Sequence, residues 1–142
     1  MNHKTLLLAA PLLLVACDAM PGTTCNAMYS PDQVHMTFED VAFEEGSWRL
    51  TIDGDIVCEF ELPIASNDNV ECIGGNEIYV VPSNDGDGID EVSIWEFAPD
   101  RFDATLHLND ELFAEASFEP EYSIDEPNGE GCGERSFAEV SF

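Results

Sequence analysis

The chain has 142 residues, with 30 aspartates and glutamates against 4 lysines and arginines, which gives a formal net charge of -26. Such a charge excludes the phosphate backbone of nucleic acids as an electrostatic partner. With 44% hydrophobic and 10% aromatic residues, the chain has enough apolar content for the core of one globular domain, which excludes an acidic disordered tail.

The amino-terminal residues predict an export signal. Residues 6–16 form an apolar run that is too short to span a bilayer as a helix. The run ends in Leu-Val-Ala-Cys at 14–17, which resembles the bacterial lipobox, where a signal peptidase cleaves before the cysteine and that cysteine carries the lipid. The sequence therefore predicts a lipoprotein signal peptide at 1–16 and lipidation of Cys17. The alternative is an ordinary secretory signal that is cleaved a few residues later.

Cleavage before Cys17 leaves a lipidated tether at 17–24 and one domain at 25–142. Because seven extended residues reach about 25 Å, the tether would hold the domain close to its membrane. The mature chain keeps three arginines against 30 acidic residues, a net charge of -27. The predicted location is the bacterial cell envelope, on the outer or the inner membrane. In enteric bacteria, an aspartate directly after the lipidated cysteine, as Asp18 is here, favours retention in the inner membrane. Sorting rules differ between bacterial groups, so this residue does not decide between the two membranes.

Four further cysteines lie in the predicted domain. An even number of cysteines in an exported chain predicts two disulfides, and four cysteines permit three pairings. We favour Cys58 with Cys72, which closes a short local loop, and Cys25 with Cys132, which ties the two ends of the domain together. A thiolate metal site is disfavoured because the sequence contains no CxxC pair and no cluster of cysteine with histidine.

The domain alternates apolar and polar residues with a period of two, which is typical of half-buried strands. Strands are predicted at 34–38, 48–52, 56–62, 77–81, 91–97, 102–108, 111–118 and 136–142. Asp53-Gly54 predicts a type I′ hairpin turn, and Asn109-Asp110 predicts a second tight hairpin. No stretch after the signal has an apolar period of 3.6 residues over a helical length. We therefore expect an all-β fold, a single antiparallel β-sandwich of about eight strands or a flattened barrel.

Residues 83–91, named here the Asp-Gly loop, contain four carboxylates and two glycines and resemble calcium loops of the DxDxDG kind. Ser83 and Ile94 stand where the first aspartate and the closing bidentate glutamate of such a loop should be. The alternative is a polar connection between two strands, because turns favour aspartate and glycine. The candidate calcium ligands are Asp85, Asp87, Asp90 and Glu91.

No catalytic residue is assigned from the sequence. It contains no GxSxG, HExxH, P-loop or Rossmann motif, and His35 and His107 occupy outward strand positions without a neighbouring nucleophile motif. Trp48 and Trp95 lie within predicted strands, and we expect core anchors rather than a sugar-stacking platform. Trp95 nevertheless faces opposite to the apolar residues that precede it on its strand.

Several features together resemble small exported lipoproteins of unknown function that are numerous in myxobacteria. These features are the lipobox, Trp48 on its strand, Cys58 followed by Cys72, and a Pro-Asn-Gly stretch at 127–129 before Cys132. In those proteins a second cysteine often follows within a few residues of the cysteine that comes after the Pro-Asn-Gly stretch. Here the chain continues without one, which favours a distant partner for Cys132. The resemblance implies a β-rich exported domain and brings no known activity, substrate or catalytic residue.

The expected function is that of a non-enzymatic, membrane-anchored envelope lipoprotein that acts as a binding or structural module. The negative charge of the domain repels anionic lipid head groups. The favoured partner is therefore an unknown protein or another cationic component of the envelope, or a partner that calcium bridges to the domain. One alternative is calcium-dependent adhesion or assembly through the Asp-Gly loop. Another is adaptation of the surface to a saline habitat. An envelope hydrolase is least favoured, because no nucleophile, base and orienting group can be assembled.

Overall fold

The computed structural model describes residues 25, 28–65 and 70–142. The predicted signal peptide, the lipidation site Cys17 and the tether lie outside the described residues. Among those described, no helix is long and apolar enough to cross a bilayer. The described chain forms ten strands: β1 (Gln33–Thr37), β2 (Gly46–Ile52), β3 (Ile56–Leu62), β4 (Val70–Ile73), β5 (Glu77–Pro82), β6 (Ile89–Trp95), β7 (Phe102–Leu108), β8 (Glu111–Phe118), β9 (Ser123–Asp125) and β10 (Arg135–Ser141).

The strands build two five-stranded sheets, which confirms the all-β sandwich. Sheet A has the order β5-β6-β1-β10-β9, and sheet B has the order β4-β3-β2-β7-β8. All eight predicted strands are present within a few residues of their expected bounds. The estimate of eight strands is too low, because β4 has four residues and β9 has three, too few for a period of two to stand out.

One neighbouring pair of strands departs from the predicted antiparallel arrangement. β1 and β10 run parallel in the centre of sheet A, with Val34 opposite Ala138. Parallel neighbours need a long crossover between them, and here eight strands of the chain separate β1 from β10. Both ends of the domain sequence therefore meet in the middle of one sheet.

The inward faces of the two sheets share one hydrophobic core. β3 shows the expected alternation, with its even-numbered residues buried and the residues between them half-buried or exposed. The core prediction is confirmed for Trp48, which is 2% exposed, and the Trp48 indole donates to the carbonyl of Glu44 at 2.8 Å. The largest fully buried side chains are those of Trp48, Phe102, Met36, Leu50, Ile52, Ile94 and Leu106.

Both predicted hairpin turns are confirmed by their backbone angles. The φ values of Asp53 and Gly54 are 50° and 77°, and those of Asn109 and Asp110 are 50° and 66°. Type I′ turns require positive φ at both central positions, which aspartate, asparagine and glycine adopt more readily than other residues. The side chain of Asp53 also accepts a hydrogen bond from the Asp103 amide at 2.8 Å, which ties this turn to the start of β7.

The two disulfides join the cysteines that the sequence analysis paired. Cys58 and Cys72 face each other across β3 and β4, and Cys25 bonds to Cys132 at a sequence separation of 107. Cys58 is 1% exposed, because it lies on the inward face of β3. Because Cys132 lies three residues before β10, the second bond fixes the start of the domain beside the start of that strand.

The topology gives sheet A two distinct ends. β1 and β10 both begin at the end that holds Cys25 and Cys132, which we name the Cys25 end. β6 is antiparallel to β1 and therefore finishes at the Cys25 end, with Trp95 opposite Gln33. The connection between β5 and β6 lies at the opposite end of the sheet. The Asp-Gly loop is thus far from the point where the tether would enter.

Hydrogen bonds hold the segment before β1 against sheet A and against the connection between β9 and β10. The carbonyl of Asp32 accepts from the amide of Glu96 at 2.8 Å, and the Asp32 carboxylate accepts from the amide of Ser136 at 2.6 Å. The side chain of Asn128 donates to the carbonyl of Met28 at 2.9 Å. These contacts fix the residues around Tyr29 on the outer face of sheet A.

Candidate functional site

The Asp-Gly loop is a tightly packed connection. The Ser83 hydroxyl accepts from the amide of Gly88 at 3.0 Å, and the Gly86 carbonyl accepts from the amide of Ile64 at 2.6 Å. A Cβ atom added at Gly86 would lie 2.6 Å from the Ile64 carbonyl oxygen, and one at Gly88 would lie 2.9 Å from the ring of Phe43. Glycine is therefore required at both positions, because the Ile64 carbonyl and the Phe43 ring leave no room for a side chain.

The four candidate calcium ligands are not gathered around one point. Asp85 is exposed in the loop, and the Asp87 carboxylate accepts a hydrogen bond from Ser83 at 2.9 Å. Asp90 and Glu91 lie at the start of β6, where Glu91 pairs with a histidine. Within residues 25, 28–65 and 70–142, no group of three histidine, cysteine or acidic side chains is placed to hold a metal ion. Calcium binding at this loop stays a prediction.

The two histidines of the domain lie on the outer faces of the sheets, half-buried. His35 Nδ1 is 2.9 Å from Glu91 Oε1, and the Ser93 hydroxyl donates to the same oxygen. In a hydrolytic triad the histidine lies between the serine and the acid, whereas here the carboxylate takes the middle position. On sheet B, His107 lies opposite Arg49, and within the described chain its Nδ1 finds no hydrogen-bond partner.

The outer face of sheet B carries a shallow acidic groove around one cation. The guanidinium of Arg49 lies 2.8 Å from Glu59 Oε1 and 3.1 Å from Asp110 Oδ1. The hydrogen bond from Arg49 to Glu59, followed by the charges of Glu59 and Asp110, raises the pKa of the guanidinium. Glu61 and Glu71 also line the groove. Four carboxylates and one guanidinium thus line the groove, so this surface stays strongly negative.

The outer face of sheet A carries a group of three aromatic rings, two of which are exposed. The Trp95 ring centroid lies 4.9 Å from that of Tyr79 and 6.4 Å from that of Tyr29, and the ring planes are inclined by 50° and 52°. Trp95 is half-buried, whereas Tyr79 is 44% exposed and Tyr29 63% exposed. The prediction of a core anchor is therefore wrong for Trp95. Val92 and Ile94 take the inward positions of β6, and the alternation of the strand turns Trp95 outward.

Carboxylates are hydrogen-bonded to both tyrosines of this group. The Tyr29 hydroxyl donates to Glu96 and the Tyr79 hydroxyl donates to Glu77, and each bond raises the pKa of its tyrosine. Glu77 lies directly opposite Trp95 across β5 and β6, while Glu96 follows Trp95 in the chain. We name Tyr29, Tyr79, Trp95, Glu77 and Glu96 the Trp95 cluster.

The backbone at Glu96 has a conformation that is uncommon for its residue type. Its φ is 56°, in the left-handed region that favours glycine and asparagine. The side-chain amide of Asn76 supports this turn, because it donates to the carbonyls of Trp95 at 3.1 Å and of Glu96 at 3.0 Å. The turn places the Glu96 carboxylate within reach of Tyr29.

The Trp95 cluster combines the two kinds of group that attract an organic cation. The faces of aromatic rings attract ammonium and guanidinium groups, and carboxylates pair with the same charges. No pattern in the sequence pointed to Tyr29, Tyr79, Glu77 or Glu96 as functional residues. The outward position of Trp95 on its strand was the one sequence signal that pointed to this surface.

Comparison of the chain with protein-family models, curated proteins and solved structures gave no match. The function is therefore inferred from the residues and contacts described above.

Proposed function

We propose that this protein is a non-enzymatic lipoprotein of the bacterial cell envelope, anchored by a lipid on Cys17, whose domain binds a cationic partner. The observation that carries the proposal is the charge of the mature chain, in which three arginines stand against 30 acidic residues. All three arginines, Arg49, Arg101 and Arg135, already lie within salt-bridge distance of carboxylates of the same domain. The surface field therefore favours cations and repels anionic lipids and nucleic acids.

Two further features support an exported protein. Structural disulfides persist in oxidising compartments, and the four cysteines of the domain form two of them. The lipobox at 14–17 supplies a route to the membrane. A membrane anchor at Cys17 enters the domain at the Cys25 end, so the Asp-Gly loop would point away from the bilayer.

The anchor is tested by expressing the full-length chain in a Gram-negative host with an alkyne analogue of palmitate. Wild-type protein is expected to take up the label and to sediment with the membranes. Cys17→Ala is expected to lose both properties, whereas Thr24→Ala, a control in the tether, keeps them. Unlabelled wild-type protein in the soluble fraction would contradict lipidation.

The binding role is tested with the full-length protein in detergent and two fluorescent peptides, deca-lysine and deca-glutamate. Binding of deca-lysine alone, with an affinity that falls steeply between 50 and 500 mM salt, is the expected result, because salt screens exposed charges over about 10 Å at 0.1 M. No binding of deca-lysine at the lowest salt concentration would contradict a cationic partner.

A further inference from the structure

We infer that the Trp95 cluster is the surface on which the cationic partner docks, and that this partner is a protein segment rich in arginine or lysine. The inference rests on the proposed function for the charge of the partner. It goes further in naming the face of the domain, the residues that contact the cation and the chemical class of the occupant.

The first support is the arrangement of the rings. Trp95 lies next to both Tyr29 and Tyr79, and both tyrosine rings are inclined to the indole by about 50°. An aromatic face binds a cation within about 6 Å of the ring centroid, and tryptophan binds best. The two tyrosines are 63% and 44% exposed, so a side chain from outside can reach the tyrosine rings.

The second support is the position of the carboxylates. Glu96 and Glu77 accept hydrogen bonds from Tyr29 and Tyr79, which places one negative charge at the hydroxyl end of each tyrosine. A guanidinium or ammonium group over either ring would therefore also lie near a carboxylate. Such a pairing of charge with an aromatic ring selects a cation over a neutral apolar group.

The same face of sheet A already binds one guanidinium in this way. Arg135 Cζ lies 5.9 Å from the centroid of the Phe137 ring, and the Arg135 side chain donates to both oxygens of Asp125, at 2.7 and 2.9 Å. On this face, an aromatic ring and a carboxylate thus jointly bind the side chain of Arg135. The Trp95 cluster offers the same combination without an arginine of its own.

The remaining charges of the face favour a segment with several cations over a single small ion. Glu91 and Glu139 also lie on the outer face of sheet A, on strands next to β1. A polypeptide with repeated basic residues can pair with these carboxylates while one side chain sits on the rings. A second copy of the chain is disfavoured, because each mature copy carries a net charge of -27.

The test uses the full-length protein in detergent and a fluorescent deca-arginine peptide. Glu77→Gln combined with Glu96→Gln is expected to weaken binding about fivefold. The matched control, Glu111→Gln combined with Glu115→Gln, removes the same charge from exposed positions on β8 and is expected to change binding less than twofold. Equal losses in the two double variants would show diffuse attraction and would overturn the inference.

The contribution of the ring is tested separately. Tyr79→Ala is expected to weaken binding about threefold, whereas Tyr79→Phe, which keeps the ring, is expected to stay within twofold of wild type. Both variants change an exposed side chain, so circular dichroism should show an unchanged fold. Equal binding by Tyr79→Ala and wild type would overturn the inference.

Two further outcomes identify another occupant and would also overturn it. One is stronger competition by phosphocholine than by an arginine peptide, which would point to a lipid head group. The other is concentration-dependent dimerisation that Tyr79→Ala abolishes, which would point to a second copy. Wild-type protein that binds no basic peptide contradicts the proposed function itself, whereas wild-type binding that survives every Trp95-cluster variant contradicts the docking surface alone.

Discussion

Cys58 and Cys72 lie directly opposite each other on β3 and β4, with their Cα atoms 4.0 Å apart. Cys58 is 1% exposed within the core, whereas the residues of β4 are half-buried or exposed. β4 has four residues and lies at the edge of sheet B. The disulfide therefore ties a short edge strand to a well-packed neighbour.

Replacing both Cys58 and Cys72 by alanine is expected to lower the free energy of unfolding by about 3 kcal/mol, because the disulfide closes a loop of 15 residues in the unfolded chain. Urea denaturation followed by tryptophan fluorescence measures the loss. Removing Cys25 and Cys132 in the same way should cost more, about 5 kcal/mol, since that loop is longer. Equal losses from the two pairs would contradict the loop-length account.

Gly86→Ala is expected to destabilise the domain by about 2 kcal/mol or more. Alanine is strained at the φ of 73° that Gly86 adopts, and its Cβ would lie 2.6 Å from the Ile64 carbonyl oxygen. Gly75→Ala is the control, because nothing lies within 4 Å of a Cβ at that position. Thermal unfolding of the two variants should separate them clearly, and similar melting temperatures would show that the loop relaxes around the added methyl group.

If the Asp-Gly loop is only a polar connection between two strands, calcium is expected to raise the melting temperature of wild type and of the Asp85→Asn/Asp87→Asn variant by the same amount. A divalent cation reduces the repulsion among 30 acidic residues wherever it lies, and the Asp87 carboxylate is already hydrogen-bonded to Ser83. Magnesium serves as the control for this general effect. A rise specific to calcium and lost in the variant would instead identify the Asp-Gly loop as a calcium site.

Tyr122 is expected to ionise well above pH 10. Burial of Tyr122, followed by the charges of Asp100 and Asp32, raises its pKa to about 12, and its hydroxyl donates to the Pro99 carbonyl at 2.9 Å. Because the pKa of Tyr122 is higher in the folded state than in the unfolded state, its protonated hydroxyl contributes fully to stability below pH 10. This contribution is lost as the pH rises through 12. Absorbance at 295 nm should show this late ionisation, and Tyr122→Phe should remove it. A midpoint near pH 10 for all three tyrosines would contradict the burial of Tyr122.

Glu96→Asn is expected to stabilise the fold by up to about 1 kcal/mol while weakening the binding of basic peptides. Asparagine tolerates the φ of 56° at this position better than glutamate does, but it removes the carboxylate that accepts from Tyr29. Urea denaturation and peptide titration of the same preparation measure the two effects. A variant that is less stable than wild type would show that the bond to Tyr29 outweighs the backbone strain.

The sequence by itself determined the class of fold and both hairpin turns, whereas among the three possible cysteine pairings it only favoured the one that the structure shows. The fold class and the turns depend on local rules: the period of two, and the positive φ of Asp53-Gly54 and Asn109-Asp110. Such rules relate residues to their own strand or turn. They hold without any information about which strands become neighbours.

The tertiary structure decided the parallel pairing of β1 with β10 and the existence of the Trp95 cluster. Tyr29, Tyr79 and Trp95 come from three separate parts of the chain and meet because β5 pairs with β6 and because Asp32 ties the preceding segment to sheet A. Strand order depends on long-range packing of two sheets around one core. The alternation of residues within each strand does not record that order, since many arrangements of the same strands bury the same faces.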